Sequence, residues 1–89
     1  MEELSKKFYQ SYLYSQFGIF FISTAYRRSS AIDLGWYYET FAWKIDKDNK
    51  REGGIIADNS GALTEEGAIR QHNQVVEQLL LKGQFESIN

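Results

Sequence analysis

The chain contains no cysteine and no proline. Without cysteine there can be no disulfide, thiolate metal site or cysteine nucleophile, and redox chemistry leaves the compartment open. A single histidine without cysteine argues against a zinc site, and neither a metal nor another cofactor is expected. The absence of proline means that nothing of that kind interrupts a helix or a central strand. Long apolar runs are missing too. The longest, Ile19–Ile22, is far too short to cross a bilayer, and the opening "MEELSKK" has no apolar centre of a signal peptide. The expectation is a cytoplasmic protein with no membrane contact.

An excess of positive charge is also lacking. Ten basic residues stand against twelve acidic ones, giving a net charge of −2. Nucleic-acid binding needs a basic footprint that displaces phosphate counterions. The dense basic sites are Arg27-Arg28 and "KIDKDNKRE", and in the second Asp46, Asp48 and Glu52 offset most of the charge. The balance argues against a nucleic-acid partner.

Aromatic side chains are what the sequence has in quantity: six Phe, six Tyr and two Trp in 89 residues. Each buried ring removes roughly 150–250 Å² from water. A chain of this length builds one core, here read as a single domain over residues 1–83 with a tail at 84–89. It cannot easily bury so many rings alone, so some are expected on an outer face or against a partner.

The pattern along the chain predicts an α+β domain of order α-β-β-(β)-α, with a small antiparallel sheet of two or three strands and a helix at each end. Leu4, Phe8 and Tyr12 recur every four residues, which predicts a helix over 2–16. Gly18 ends it. "IFFISTAY" (19–26) and "WYYETFAWKI" (36–45) are rich in β-branched and aromatic types and predict strands. The polar "RRSSAIDLG" (27–35) reads as a loop, "DKDNK" as an Asp/Asn turn, "GGIIAD" (53–58) as a short third strand and "DNSG" as a further loop. Thr64 is a good helix N-cap, followed by Glu65 and Glu66 where the helix dipole favours acids. Ala68, Ile69, Val75, Val76, Leu79 and Leu80 supply an apolar stripe, and Gly83 is placed to close the helix.

Strand alternation groups Glu39 with Tyr37, Phe41, Trp43 and Ile45 on one face, and Trp36 with Tyr38, Thr40, Ala42 and Lys44 on the other. The first group is the more apolar and is the predicted core face, interrupted by Glu39. Counting along the last helix from Ala68, the next position on the same face is His72. A carboxylate in an apolar layer needs hydrogen-bond partners. Glu39 and His72 are therefore read as a facing pair, either a polar tie between helix and sheet, with Glu39 alternatively at the sheet margin reaching water, or a ligand clamp or general acid/base couple of a hydrolase. Arg27 and Arg28 could add an anion contact to such a site. Trp36, Tyr38 and Trp43 are candidate interface rings. No nucleophile stands at a recognisable spacing, and no catalytic residue is assigned.

Three short patterns occur in order: Ile22-Ser23-Thr24, then Tyr38-Glu39-Thr40, then Thr64, Ala68 and His72 as T-x-x-x-A-x-x-x-H. On these the chain resembles a group of small uncharacterised proteins found mainly in bacteriophages and prophages, over about residues 20–81. In that group the loop after the first strand often carries an Asp-His pair, whereas "RRSSAIDLG" has no histidine. The resemblance implies a phage accessory protein in the cytoplasm of a bacterial host. Size, surplus rings and the missing catalytic set then point to a non-enzymatic protein acting through self-association, as a homo-oligomer, or through a host protein. The alternative is a small-molecule or nucleotide binder with its pocket around Glu39 and His72.

Overall fold

A computed structural model of the chain describes residues 5–28 and 35–88. Four strands, β1 (Ser5–Ser15), β2 (Gly18–Arg28), β3 (Trp36–Ile45) and β4 (Arg51–Ala62), are followed by one helix, α1 (Glu65–Ile88). The strands form a single antiparallel meander in chain order. The helix lies on one of its faces and reaches all four strands.

The N-terminal segment corrects the expected helix over 2–16: residues 5–15 are an edge strand, paired with β2 from Ser5↔Arg27 to Ser15↔Gly18. Residues 2–4 of that expectation lie outside the described residues. A four-residue repeat is two periods of a strand as well as about one turn of a helix, so Phe8 and Tyr12 do not discriminate. Tyr9, Ser11 and Leu13 against Gln10, Tyr12 and Tyr14 do, because they separate onto opposite faces.

The β1–β2 hairpin turns at Gln16-Phe17, where Ser15 Oγ accepts from the Phe17 N–H at 3.1 Å. Gly18 follows with φ 131°, and a Cβ there would sit 2.6 Å from Lys44 Cε. Glycine meets both demands.

The expected two or three strands are four, and the "short third strand" is a twelve-residue one that absorbs "DNSG". Two irregularities hid it. Tyr38 pairs with Ala62 and Glu39 with Ser60, so Gly61, at φ 109°, is an extra residue. Ala42 pairs with Ala57 but Lys44 with Glu52, which leaves residues 53–56 opposite Trp43 alone. Such bulges break the alternation by which strands are recognised. The turn before β4 is as the sequence indicates: Asp46 Oδ1 accepts from the Asp48 and Lys50 N–H groups, both at 2.9 Å, and Asn49 takes φ 65°.

The helix is capped as its sequence requires, with the Gly67 N–H donating to Thr64 Oγ1 at 3.0 Å. It does not stop at Gly83 but continues to Ile88, so residues 84–88 of the expected tail are helical. Its buried side is Ala68, Gln71, His72, Val75 and Leu79, whereas Ile69 and Leu80 are exposed. The apolar core under it is Ile22, Ala42, Val75 and Leu79, ringed by Leu13, Phe20, Ala57 and Val76. Each fully buried aliphatic side chain, Ile22 or Val75, contributes about 1.5–3 kcal/mol.

The covered face is not the predicted one. The helix sits on the Tyr38, Thr40, Ala42 side of β3, and Tyr37, Phe41 and Trp43 face away from it. Small residues decide this. Thr24, Thr40, Ala42, Ala57 and Ala68 let the helix backbone come close, which a surface of large rings would prevent.

Candidate functional site

Glu39 and His72, read from the sequence as a facing pair, lie on opposite sides of the sheet. Glu39 belongs to the open face, where Arg27 from β2 donates to its Oε1 at 2.5 Å and Tyr37 Oη lies 3.5 Å from Oε2. That hydrogen bond, reinforced by the carboxylate charge, holds the Arg27 guanidinium above its ordinary range. The Arg27 side chain is 45% exposed, so the pair is worth at most about 1 kcal/mol. Glu39→Gln is accordingly expected to change stability by less than about 1 kcal/mol and to leave the His72 ring signals unmoved, as urea unfolding and an NMR titration would show.

Arg28 lies at the exposed end of β2, paired in register with Trp36. The proposed interface rings also divide. Trp36 and Tyr38 stack with Tyr26 at centroid distances of 4.9 and 4.7 Å, with Phe8 5.0 Å from Tyr38, beside the helix. Burial, then the nearby Glu65 carboxylate, push the Tyr38 hydroxyl up. Trp43 is on the open face.

His72 is fully buried, and the three sequence patterns converge on it. Thr24 of Ile22-Ser23-Thr24 and Thr40 of Tyr38-Glu39-Thr40 come from adjacent strands, and their hydroxyl oxygens are 2.6 Å apart. His72 Nδ1 lies 2.7 Å from Thr24 Oγ1, and Nε2 lies 2.8 Å from Ser11 Oγ on β1. Tyr9 covers the ring at 4.3 Å. Gln71 completes the set, and among the described residues no buried side-chain polar atom lacks a partner.

The direction of each hydrogen bond follows from two backbone groups. The Ala62 N–H can only donate, so Gln71 Oε1 accepts from it at 3.1 Å. The Tyr38 carbonyl can only accept, so Gln71 Nε2 donates to it at 3.2 Å and gives its second hydrogen to Thr40 Oγ1 at 3.0 Å. Among the described residues, Thr40 has one remaining acceptor for its own hydrogen, Thr24 Oγ1. Thr24 must then donate to His72 Nδ1. In this donor order the neutral ring carries its hydrogen on Nε2 and donates it to Ser11, 2.8 Å away. Burial pushes the imidazole below its ordinary value near 6.5, and the donor chain acts in the same sense, since a charged ring would have to donate where Thr24 already donates.

This tautomer matters for chemistry. A histidine that activates a serine accepts the hydroxyl proton, whereas here the nitrogen facing Ser11 already holds one. Ser11 and His72 have the separation of a nucleophile–base pair without its protonation. The arrangement ties β1, β2 and β3 to the helix through hydrogen bonds.

The open face is the other concentration of side chains. Tyr12, Phe21 and Trp43 form a lateral row across β1, β2 and β3, with centroid distances of 5.0 and 6.1 Å, and Phe41 follows Trp43 along β3 at 5.9 Å. The Arg51 guanidinium lies 3.9 Å above the Trp43 ring. Trp43 was expected from the sequence as an interface ring, but Tyr12, Phe21 and Phe41 were not singled out. Shared alternation with Trp43 was the available signal for Phe41, and the misassigned helix concealed it for Tyr12. A shallow depression of about 200 Å³ sits at the turn end of this face between Tyr12, Tyr14, Ile19 and Ile45. That is small beside the roughly 300–1,000 Å³ of small-molecule sites. Comparison with protein-family models, with curated proteins and with solved structures gives no match for this chain.

Proposed function

We propose that the chain is a non-enzymatic accessory protein, of the phage type its three motifs resemble, whose working part is a protein-contact surface on the open sheet face. The observation that carries this reading is the cluster Tyr12, Phe21, Trp43 and Phe41 on a face that the chain's own helix leaves uncovered. Rings of this kind with an arginine beside them are the residue types that dominate binding energy at protein interfaces. Their centroid separations already lie in the range of roughly 4.5–7 Å of aromatic pairs, so little side-chain freedom is lost on binding. The small-molecule alternative loses its site, because no single pocket can hold Glu39 and His72 from opposite faces. The Ser11–His72 pair gives no support to a hydrolase, since its donor order runs the wrong way.

A photo-crosslinking amino acid placed at Ser23, on the open face, is expected to give protein adducts in expressing cells. The same group at Arg70, exposed on the helix, is expected to give few. Introducing Trp43→Ser should reduce the Ser23 adducts several-fold, as a lost interface anchor does. Equal adducts from both positions, or none from Ser23, would overturn the reading.

A further inference from the structure

We infer that the occupant of the open face is a second copy of this chain, packed face to face as a two-sheet sandwich. This rests on the reading of that face as a contact surface and names its partner.

Area is the first argument. Strands of 10–12 residues with a rise of about 3.3 Å, four abreast at about 4.8 Å, present a face of roughly 600 Å². Two such faces together bury about 1,200 Å², above the roughly 1,000 Å² that a specific interface needs. The second argument is charge. The face carries Lys7, Arg27 and Arg51 against Glu39 and Asp58, placed there by the pairings Lys7↔Ala25, Ala25↔Glu39, Arg27↔Tyr37, Ile45↔Arg51 and Phe41↔Asp58. A face that mixes both signs nearly in balance can set its bases against its copy's acids across a two-fold axis, whereas a polyanion would need a strongly positive one. Distribution is the third. Lys7, Arg51 and Asp58 lie on the edge strands and Arg27 at a strand end, while Phe21, Phe41 and Trp43 hold the two central strands, where the one charge, Glu39, is paired with Arg27. An aromatic centre with a charged rim is the anatomy of a protein–protein interface. Two twisted sheets packed about 10 Å apart would interdigitate these rings.

Sedimentation of the full chain over micromolar to sub-millimolar concentrations, with hydroxyl-radical footprinting of Tyr12, Phe21, Phe41 and Trp43, tests this. The expected result is a dimer whose rings become protected as it forms. Ser23→Arg sets a like charge against itself across the two-fold axis and should weaken the dimer on the order of a hundredfold, with helical circular dichroism retained. Should Ser23→Arg fail to fold, Tyr12→Lys places the charge at a position already 48% exposed. A wild-type chain that stays monomeric with reactive rings overturns the second copy and leaves the contact surface to the crosslinking result. A dimer whose rings stay reactive also overturns the second copy on this face, and the contact surface again stands or falls by the crosslinking result.

Discussion

His72→Ala is expected to cost about 3–5 kcal/mol, the range of a large buried side chain truncated to alanine, and so to remove a large share of the domain's stability. The whole stability of a chain this size is on the order of 4–13 kcal/mol at typical per-residue values. The substitution removes the ring that fills the space between Tyr9 and the strands. It also strands the Thr24 hydroxyl hydrogen in a fully buried position with no acceptor, a penalty of about 1–3 kcal/mol. Thr24 and Thr40 form one chain with His72, so single replacements should not add. Thr24→Val leaves Nδ1 and the Thr40 hydrogen unpaired, whereas Thr24→Val with Thr40→Val removes a donor and its acceptor together. The second valine should therefore cost less in the double variant than in the wild type. Urea unfolding of the four proteins checks this, and strict additivity would show that the two hydroxyls are not coupled.

Acid is expected to destabilise the fold well before the carboxylates titrate. His72 is neutral in the folded state and held below its ordinary value by burial, while in the unfolded chain it takes up a proton near pH 6.5. Between the two pKa values the unfolded state binds more protons than the folded state, so stability rises with pH across that window. The contribution is fully present above about pH 6.5 and is lost as pH falls, by up to about 1.4 kcal/mol per pH unit, until the folded value is reached. The chain has one histidine, so no other side chain with an ordinary pKa titrates between pH 5 and 6.5. Thermal or urea midpoints across that range should fall for the wild type and flatten for any His72 variant that still folds. Ring nitrogen shifts at neutral pH should report the Nε2–H tautomer. A flat wild-type profile, or an Nδ1–H ring, would remove this account of the network.

Much of the fold could be read where the signal was local. The span of β3 followed from a run of aromatic and β-branched residues bounded by glycine and Asp/Asn, and the start of α1 from a hydroxyl cap with two following acids. His72 facing the sheet was legible from its spacing to Ala68. What failed was non-local. Alternation sorts Glu39 and Thr40 onto different faces, but it cannot say which face the helix takes. Judging by apolar content chose the rings, whereas close approach selected the small residues. Once that choice is inverted, Glu39 pairs with Arg27 on an open surface and His72 meets two threonines. Both threonines had been quoted in the motifs without being given a role. The N-terminal strand and the full length of β4 were missed for a related reason, since a four-residue repeat suits two periodicities and glycine bulges erase one of them.

The two bulges in β4 also determine how the sheet can grow. A fourth strand that leaves the regular ladder at 53–56 and again at Gly61 cannot offer an evenly spaced row of amide and carbonyl groups to an incoming chain. That border is closed to strand addition. The opposite border is regular from Tyr9 to Ser15 and open, so edge-to-edge extension can proceed from one side only. A ribbon needs two receptive borders per molecule to continue indefinitely, and the described residues offer one. Pairing along β1 would stop at two copies, which protects a sheet so rich in aromatic residues from templating its own fibres.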